Sequence, residues 1–276
     1  MENLFVTPSF SSPEAKQEPI EELLDVLTKP ELSKDSKIYS VGPRSIDFYR
    51  EEILDRLYSG EHFSQERIEQ DMEMFDSAYA LMKQAFNGRN RMTMEGNSKE
   101  RYFTHLQSVM EIVLKELPGA NMERIVIALL HDVLEDIPGY SYDTLCTIYG
   151  EYIAHAVLYL SKKDRREYLS DQEKLVYDAA DDEGKDILKY KAKERRNEEY
   201  FGHLSELNDD CLAVKFADRI HNLRTMENFS LGKVRRKITE TEKYFLPVAK
   251  ERMPDAYVLL VQEIKKLRDF AYPHAN

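Results

Sequence analysis

Residues 120–136, ANMERIVIALLHDVLED, restrict the fold more than any other stretch. Wound as a helix, they place Met122, Ile125, Val126, Ile127, Leu129, Leu130, Val133 and Leu134 around most of the circumference. A helix that is apolar on nearly every side has to be enclosed by its neighbours. Those neighbours read as helices too. From Ser64 to Phe86 the positions Ile68, Met72, Phe75, Ala78, Tyr79, Met82 and Phe86 recur at helical spacing. The same period returns at 102–116, 208–226 and about 233–269, and residues 142–162 read as two short helices broken near Gly150. Five of the 10 prolines fall in the first 43 positions and there are only 10 glycines, so the remainder is free to form long helices. The expected class is all-α.

The central segment carries an apparent contradiction. His131, Asp132, Glu135 and Asp136 crowd one end of a helix that should be buried, where desolvated charge is costly. At 100° per residue, His131 and Glu135 share one stripe and Asp132 and Asp136 the next. Three carboxylates so close repel one another unless a positive charge lies among them. A divalent cation meets that need, taking an imidazole and a carboxylate directly and leaving the next turn's carboxylates to act on water.

His131 and Asp132 supply two ligands at most, so others must come from different helices. His105, in RYFTHLQSVMEIVL, is the one histidine of an apolar-periodic helix and follows Tyr102 by one turn. In CLAVKFADRIHNLRTM, Leu212, Ala213, Phe216, Ala217, Ile220 and Leu223 form the apolar face, while Lys215, Asp218, Asn222 and Thr225 follow one polar stripe. Asp218 would close a set of two histidines and two aspartates. Taken singly, each has an ordinary structural role open to it: His105 as a hydrogen-bonded core residue, His131 and Asp132 as a buried pair, Asp218 with Arg219 as an ion pair.

The remaining composition narrows the partners. A net charge of −12 argues against sequence-independent DNA or RNA binding. The longest apolar runs are too short to span a bilayer, and the N-terminus lacks a basic start and an apolar leader, so a soluble cytoplasmic protein is expected. Cys146 and Cys211 have neither metal-site nor disulfide-framework spacing, and both read as small core residues. Residues 1–40 mix Ser, Pro, Glu and Lys around one amphipathic piece, PIEELLDVL, and read as a flexible arm or a docking segment for a protein partner. Between Lys162 and Tyr200 stand 11 basic and 12 acidic residues, a charged excursion with helical pieces.

The order His, His-Asp, Asp, each on its own helix, resembles the HD superfamily of metal-dependent phosphohydrolases. More closely, the chain resembles the hydrolase domain of the RelA/SpoT alarmone enzymes, whose Tyr-x-x-His, ALLHDxxED and KLADRxHNxRT hallmarks stand here as YFTH (102–105), ALLHDVLED (128–136) and KFADRIHNLRT (215–225). LYLSKKD (158–164) and GKVRRKITETEKYFLPVA (232–249) are similar to flanking family segments. The resemblance implies an HD-domain helical bundle over residues 91–276, with the excursion at 162–204 and a helical extension at 41–90 packed on it. It also implies one Mn²⁺ on His105, His131, Asp132 and Asp218, and Glu135 and Asp136 as the catalytic groups acting on water. The implied reaction is hydrolysis of the 3′-pyrophosphate of guanosine tetra- or pentaphosphate (ppGpp), as in the stringent response.

Substrate contacts carried over on the same basis are Tyr102, Arg91, Asn222 and Thr225. Lys162, Lys163 and the run Lys233, Arg235, Arg236 and Lys237 offer local positive charge for phosphates. The family's HxGQxRKSGxP segment appears only as AFNGRNR (85–91), with Phe86 for its histidine, and His105 is followed by Leu106 rather than proline. An HD hydrolase of another nucleotide, such as the 2′-phosphate of NADPH or a nucleoside triphosphate, fits the same ligand set. A non-catalytic HD regulatory module is the reading from another class. No synthetase-like segment follows within the chain, which points to a stand-alone hydrolase.

Overall fold

The structure, a computed structural model, describes residues 44–60, 63–91, 100–226 and 229–271, without the side chains of 90, 91, 100 and 101. The expected arm at 1–40, PIEELLDVL included, lies outside these residues, as does the MTMEGN stretch at 92–97. Among the described residues the fold is all-α apart from one antiparallel pair of two-residue strands, β1 (Asn90–Arg91) and β2 (Glu100–Arg101).

Helices α1 (Ile46–Tyr58) and α2 (Gln65–Ala85) start at serines whose side chains accept from the first turn's amides: Ser45 from Phe48 and Ser64 from Arg67. The core is made by α3 (Tyr102–Lys115), α4 (Met122–Leu130) and the later α9 (Asp209–Arg224), which pack on one another. Ile125 through Leu130 are fully buried, as the apolar circumference of this segment requires. Asn121 and Asn208 cap α4 and α9 by the same device as the serines.

Two expected helices are broken. The segment 121–136 is not continuous: α4 ends at Leu130, and after a turn at His131 and Asp132 a single-turn α5 (Val133–Asp136) follows. His131 Nδ1 lies 2.8 Å from the Ala128 carbonyl, the acceptor that a continuing helix would offer to the Asp132 amide. The long helix expected at 233–269 is α10 (Leu231–Glu240), a wide turn at Thr241–Phe245, α11 (Leu246–Arg252) and α12 (Pro254–Ala271). Pro247 cannot donate into the ladder where α11 begins, and Met253, which precedes Pro254, is pushed out of the helical region to φ −148°, ψ 77°.

Helix α6 (Tyr142–Leu160) does bend at Gly150, whose φ of 83° suits a residue without Cβ. Cys211 is buried, but Cys146 is half-exposed on the first half of α6 and is not a core residue. The charged excursion is ordered as a helical hairpin: a short turn at Arg165–Tyr168, α7 (Asp171–Ala179) and α8 (Asp182–Gly202). A reciprocal Ser170–Glu173 capping box starts α7, and Leu169, Leu188 and Ala192 form a small core of its own under Tyr168 and Tyr177.

Ion pairs lock the helix crossings. Arg224 on α9 grips Glu116 through both nitrogens at 2.7 and 2.8 Å and Glu263 of α12 at 3.0 Å. Arg124 on α4 binds Asp210 of α9 and the Pro118 carbonyl. No described helix is long and apolar enough to cross a membrane.

Candidate metal centre

Three helices bring imidazoles and carboxylates to one point. His105 projects from the first turn of α3, His131 and Asp132 from the break after α4, and Asp218 from the middle of α9. His105 Nε2 lies 3.2 Å from Asp218 Oδ1 and 3.8 Å from Asp132 Oδ2, and His131 Nε2 lies 3.4 Å from Asp132 Oδ2. One ligand atom from each of His105, His131 and Asp132 falls within 4.8 Å of the others, the spacing that a single cation can bridge. Both histidines are buried.

The hydrogen bonds around the cluster select its tautomers. His131 Nδ1–H donates to Ala128 O, which leaves Nε2 as the lone-pair nitrogen. That Nε2 is buried and has no hydrogen-bond partner among the described residues, a costly state for a polar atom unless it is ligated. His105 Nδ1 stands 2.8 Å from Nδ1 of His221, a buried residue on α9, so a proton shared there directs His105 Nε2 toward the carboxylates. His221 was missed in the sequence, although it lies three residues beyond Asp218 and hence on the same helix face.

Electrostatics keep both central carboxyls ionised. Burial alone would raise Asp218, but the ammonium of buried Lys215 holds it well below the ordinary carboxylate value. Burial likewise opposes ionisation of Asp132, and His131 and His105 overcome it. Asn222 donates to Asp218 Oδ1 at 2.6 Å. Arg219 does not pair with Asp218; it turns to Glu240 at 3.1 Å.

Beside these four lie the two further carboxylates. Tyr102 donates to Asp132 Oδ2 at 2.8 Å and to Asp136 as well, and burial, with Asp132 next, pushes its phenol up so that it remains a donor. Its hydroxyl therefore orients carboxylates. Burial raises the Asp136 carboxyl, against the Tyr102 hydrogen bond. Glu135 Oε2 accepts from the Lys162 amide at 3.1 Å and stands 3.6 Å from Lys162 Nζ. Arg89 ties down the end of α5 through the Asp136 carbonyl at 2.6 Å.

The other expected residues stand on α9, α10 and β1. The Thr225 hydroxyl donates back to the carbonyls of His221 and Asn222 at the end of its own helix. Arg236 is exposed on α10, Arg235 binds the Ala271 carbonyl, and Lys237 lies 3.4 Å from Glu240. Arg91 belongs to β1, and its side chain is outside the described residues. Phe86, which stands for a histidine, is fully buried and stacks on Tyr102 with ring centroids 4.8 Å apart and planes 12° from parallel. It packs on Tyr102 at the edge of the site.

Known proteins are similar to this chain. The model of the HD domain family matches residues 78–254. The bifunctional (p)ppGpp synthase/hydrolase SpoT of Escherichia coli (strain K12) is 28% identical over 184 residues, 66% of this chain and 22% of that protein. The guanosine-3′,5′-bis(diphosphate) 3′-pyrophosphohydrolase of Haemophilus influenzae is 31% identical over 155 residues, 55% of this chain and 19% of that one. A probable GTP pyrophosphokinase of Mycobacterium leprae is 34% identical over 152 residues, covering 55% and 16%. The chain spans about a fifth of the length of these relatives. Among solved structures, a metazoan ortholog of SpoT described as hydrolyzing ppGpp matches with a TM-score of 0.54 and 14% identity, over 75% of this chain and 98% of that one, a likeness of fold.

Proposed function

The chain belongs to the HD domain family, and on that premise we propose that it is a metal-dependent hydrolase of the 3′-pyrophosphate of guanosine tetra- or pentaphosphate. The observation that carries this reading is the meeting of His105, His131, Asp132 and Asp218 beside Glu135 and Asp136, with His131 Nε2 buried and lacking a hydrogen-bond partner among the described residues. Two imidazoles and two ionised carboxylates suit a divalent first-row cation, and Mn²⁺ is the metal proposed. When bound, such an ion polarises a phosphoryl oxygen and lowers the pKa of water.

The chain's own residues do the rest. Glu135 and Asp136 orient the attacking water and take its proton, Glu135 held by the Lys162 amide and Asp136 by Tyr102. Water oxygen bonds to the phosphorus next to the 3′-oxygen, the bond from that phosphorus to the 3′-oxygen breaks, the proton taken from water passes to the departing 3′-oxygen, and pyrophosphate and a 3′-hydroxyl result. His221, Asn222 and Tyr102 hold the ligand side chains in place so that little reorganisation accompanies the step. Lys162, half-buried next to Glu135, is placed to meet a substrate phosphate. A helical extension at 41–90 packs on a hydrolase body at 91–276, and the protein acts in the cytoplasm.

One observation favours a second reading. With Phe86 buried against Tyr102 where the alarmone enzymes carry a histidine, base recognition differs from theirs, and another nucleotide, NADPH through its 2′-phosphate included, fits the same chemistry. A screen of guanosine tetraphosphate, NADPH and nucleoside triphosphates with Mn²⁺ separates the two. Equimolar GDP and pyrophosphate from guanosine tetraphosphate supports the first, and turnover of NADPH alone overturns it.

A further inference from the structure

A cavity of about 670 Å³ opens beside Glu135 and Asp136, between the end of α6 and the helical hairpin. Six basic residues line it: Lys162, Lys163, Arg165, Arg166, Lys189 and Arg196. The acidic residues there are Glu135, Asp136 and Asp164, so the lining carries an excess of positive charge on a chain whose net charge is −12.

Four of the six cations are already matched. Lys162 faces Glu135 at 3.6 Å, Lys163 faces Glu199 at 3.4 Å, Arg166 binds Asp178 at 2.7 Å and Lys189 binds Asp186 at 2.9 Å. Arg165 and Arg196 have no carboxylate at ion-pairing distance among the described residues, and Arg196 Nε is buried there without any hydrogen-bond partner. A guanidinium keeps its charge at any physiological pH, so two of them on one cavity repel until an anion enters. Burial, and then Arg165, disfavour the charged form of Arg196, as that crowding requires.

The hairpin that carries these residues is built as a fixed wall. Next to Arg196, Arg195 binds Glu173 through two nitrogens at 2.6 and 3.0 Å and the Tyr168 carbonyl at 3.0 Å. One turn further along α8, Tyr200 bonds to the Leu160 carbonyl and to Lys215, the lysine that helps keep Asp218 ionised. The cavity and the metal centre are therefore held in register by the same helix.

We propose that this cavity binds an oligophosphate group, a second, non-reacting phosphate arm of the substrate, on the guanidinium groups of Arg165 and Arg196. Guanidinium forks match phosphate oxygens two at a time, and the cavity adjoins the carboxylates that face the reacting phosphate. An arm seated here lets the enzyme distinguish a nucleotide bearing two oligophosphates from one bearing a single one. The substrate part of this assignment rests on the hydrolase reading; the anion site does not.

The test has two arms on the full chain. In calorimetric titration with inorganic pyrophosphate after chelation of metals, wild type and Asp218→Ala should bind one equivalent with equal affinity. Arg165→Gln and Arg196→Gln should each weaken binding about tenfold or more, while Lys174→Gln, outside the cavity, should not. Absence of saturable binding, or binding indifferent to both arginines in variants that melt like wild type, overturns the site.

In the kinetic arm the same two variants should raise KM for guanosine tetraphosphate about tenfold. They should leave KM unchanged for guanosine bearing only the 3′-pyrophosphate. Equal effects on both substrates, or on neither, overturn the substrate arm and mark the cavity as a site for free anion. Intact pyrophosphate binding with no turnover of either substrate overturns the hydrolase reading and upholds the anion site.

Discussion

Replacing His221 with phenylalanine keeps a ring of similar volume in a fully packed position and removes one nitrogen. That nitrogen stands 2.8 Å from His105 Nδ1, and the two rings are 0% and 2% exposed for His105 and His221, so water cannot take its place. The lost acceptor leaves a buried N–H unsatisfied, at a cost of about 1–3 kcal/mol. If all of that cost falls on the orientation of His105 as a ligand, metal affinity drops between about fivefold and about 150-fold. That range brackets the roughly 10–100-fold loss typical when a ligating histidine loses its supporting hydrogen bond.

Calorimetric titration of Mn²⁺ into chelator-stripped protein measures the effect directly. At saturating Mn²⁺ most of the hydrolytic rate should return, because His221 supports a ligand and does not touch substrate. An affinity equal to that of wild type, in a protein where His105→Ala abolishes binding, would refute the role given to this pair.

Other outcomes follow from the same geometry. Glu135→Gln and Asp136→Asn should retain Mn²⁺ and lose about 10²–10⁴-fold in kcat, measured with metal in excess. Arg224→Leu removes the guanidinium that joins Glu116 to Glu263, whose carboxylate keeps Lys266 at 3.0 Å, and should cost about 1–3 kcal/mol. On a chain of this length that is a fall of about 5 °C in melting temperature by calorimetry. Lys237 has its pKa pushed down to about 7 by burial and then by Arg219, against an ordinary 10.5. The unfolded chain therefore binds this proton more tightly, and the contribution of Lys237 to stability should rise with pH between about 7 and 10. Lys237→Met should melt with a smaller rise over that window than wild type does.

What could be read from the residues alone depended on whether their partners lay on the same helix. The buried helix of ALLHDVLED and the polar stripe through Asp218 are local patterns, and both led to the side chains that meet in space. The break at His131 was not legible, because it arises from a ring nitrogen bonding the Ala128 carbonyl, an option that periodicity does not display. His221 is partnered with His105 across 116 residues, and only the crossing of α3 and α9 brings them together.

The charged stretch after Lys162 illustrates the opposite limit. Its Ser170–Glu173 capping box was available as a helix signal, but the pairs that fold it into a hairpin, Arg195 with Glu173 and Arg166 with Asp178, are ordinary surface charges until the chain turns back. Within the expected phosphate cluster of Lys233, Arg235, Arg236 and Lys237, Arg235 binds the Ala271 carbonyl at the end of α12, while Lys237 lies beside Glu240 and within electrostatic reach of Asp218 and Lys162. Arg165 and Arg196, far apart in that stretch, line one cavity. Charge content says how many cations exist and nothing about which ones face each other.

Turnover should require one cation bound by His105, His131, Asp132 and Asp218. Metal stoichiometry and guanosine tetraphosphate hydrolysis should be measured together on wild type, chelated wild type and Asp218→Ala. One Mn²⁺ per chain with GDP and pyrophosphate released, both lost on chelation and in Asp218→Ala, is the predicted result. Undiminished hydrolysis by metal-stripped Asp218→Ala would contradict it.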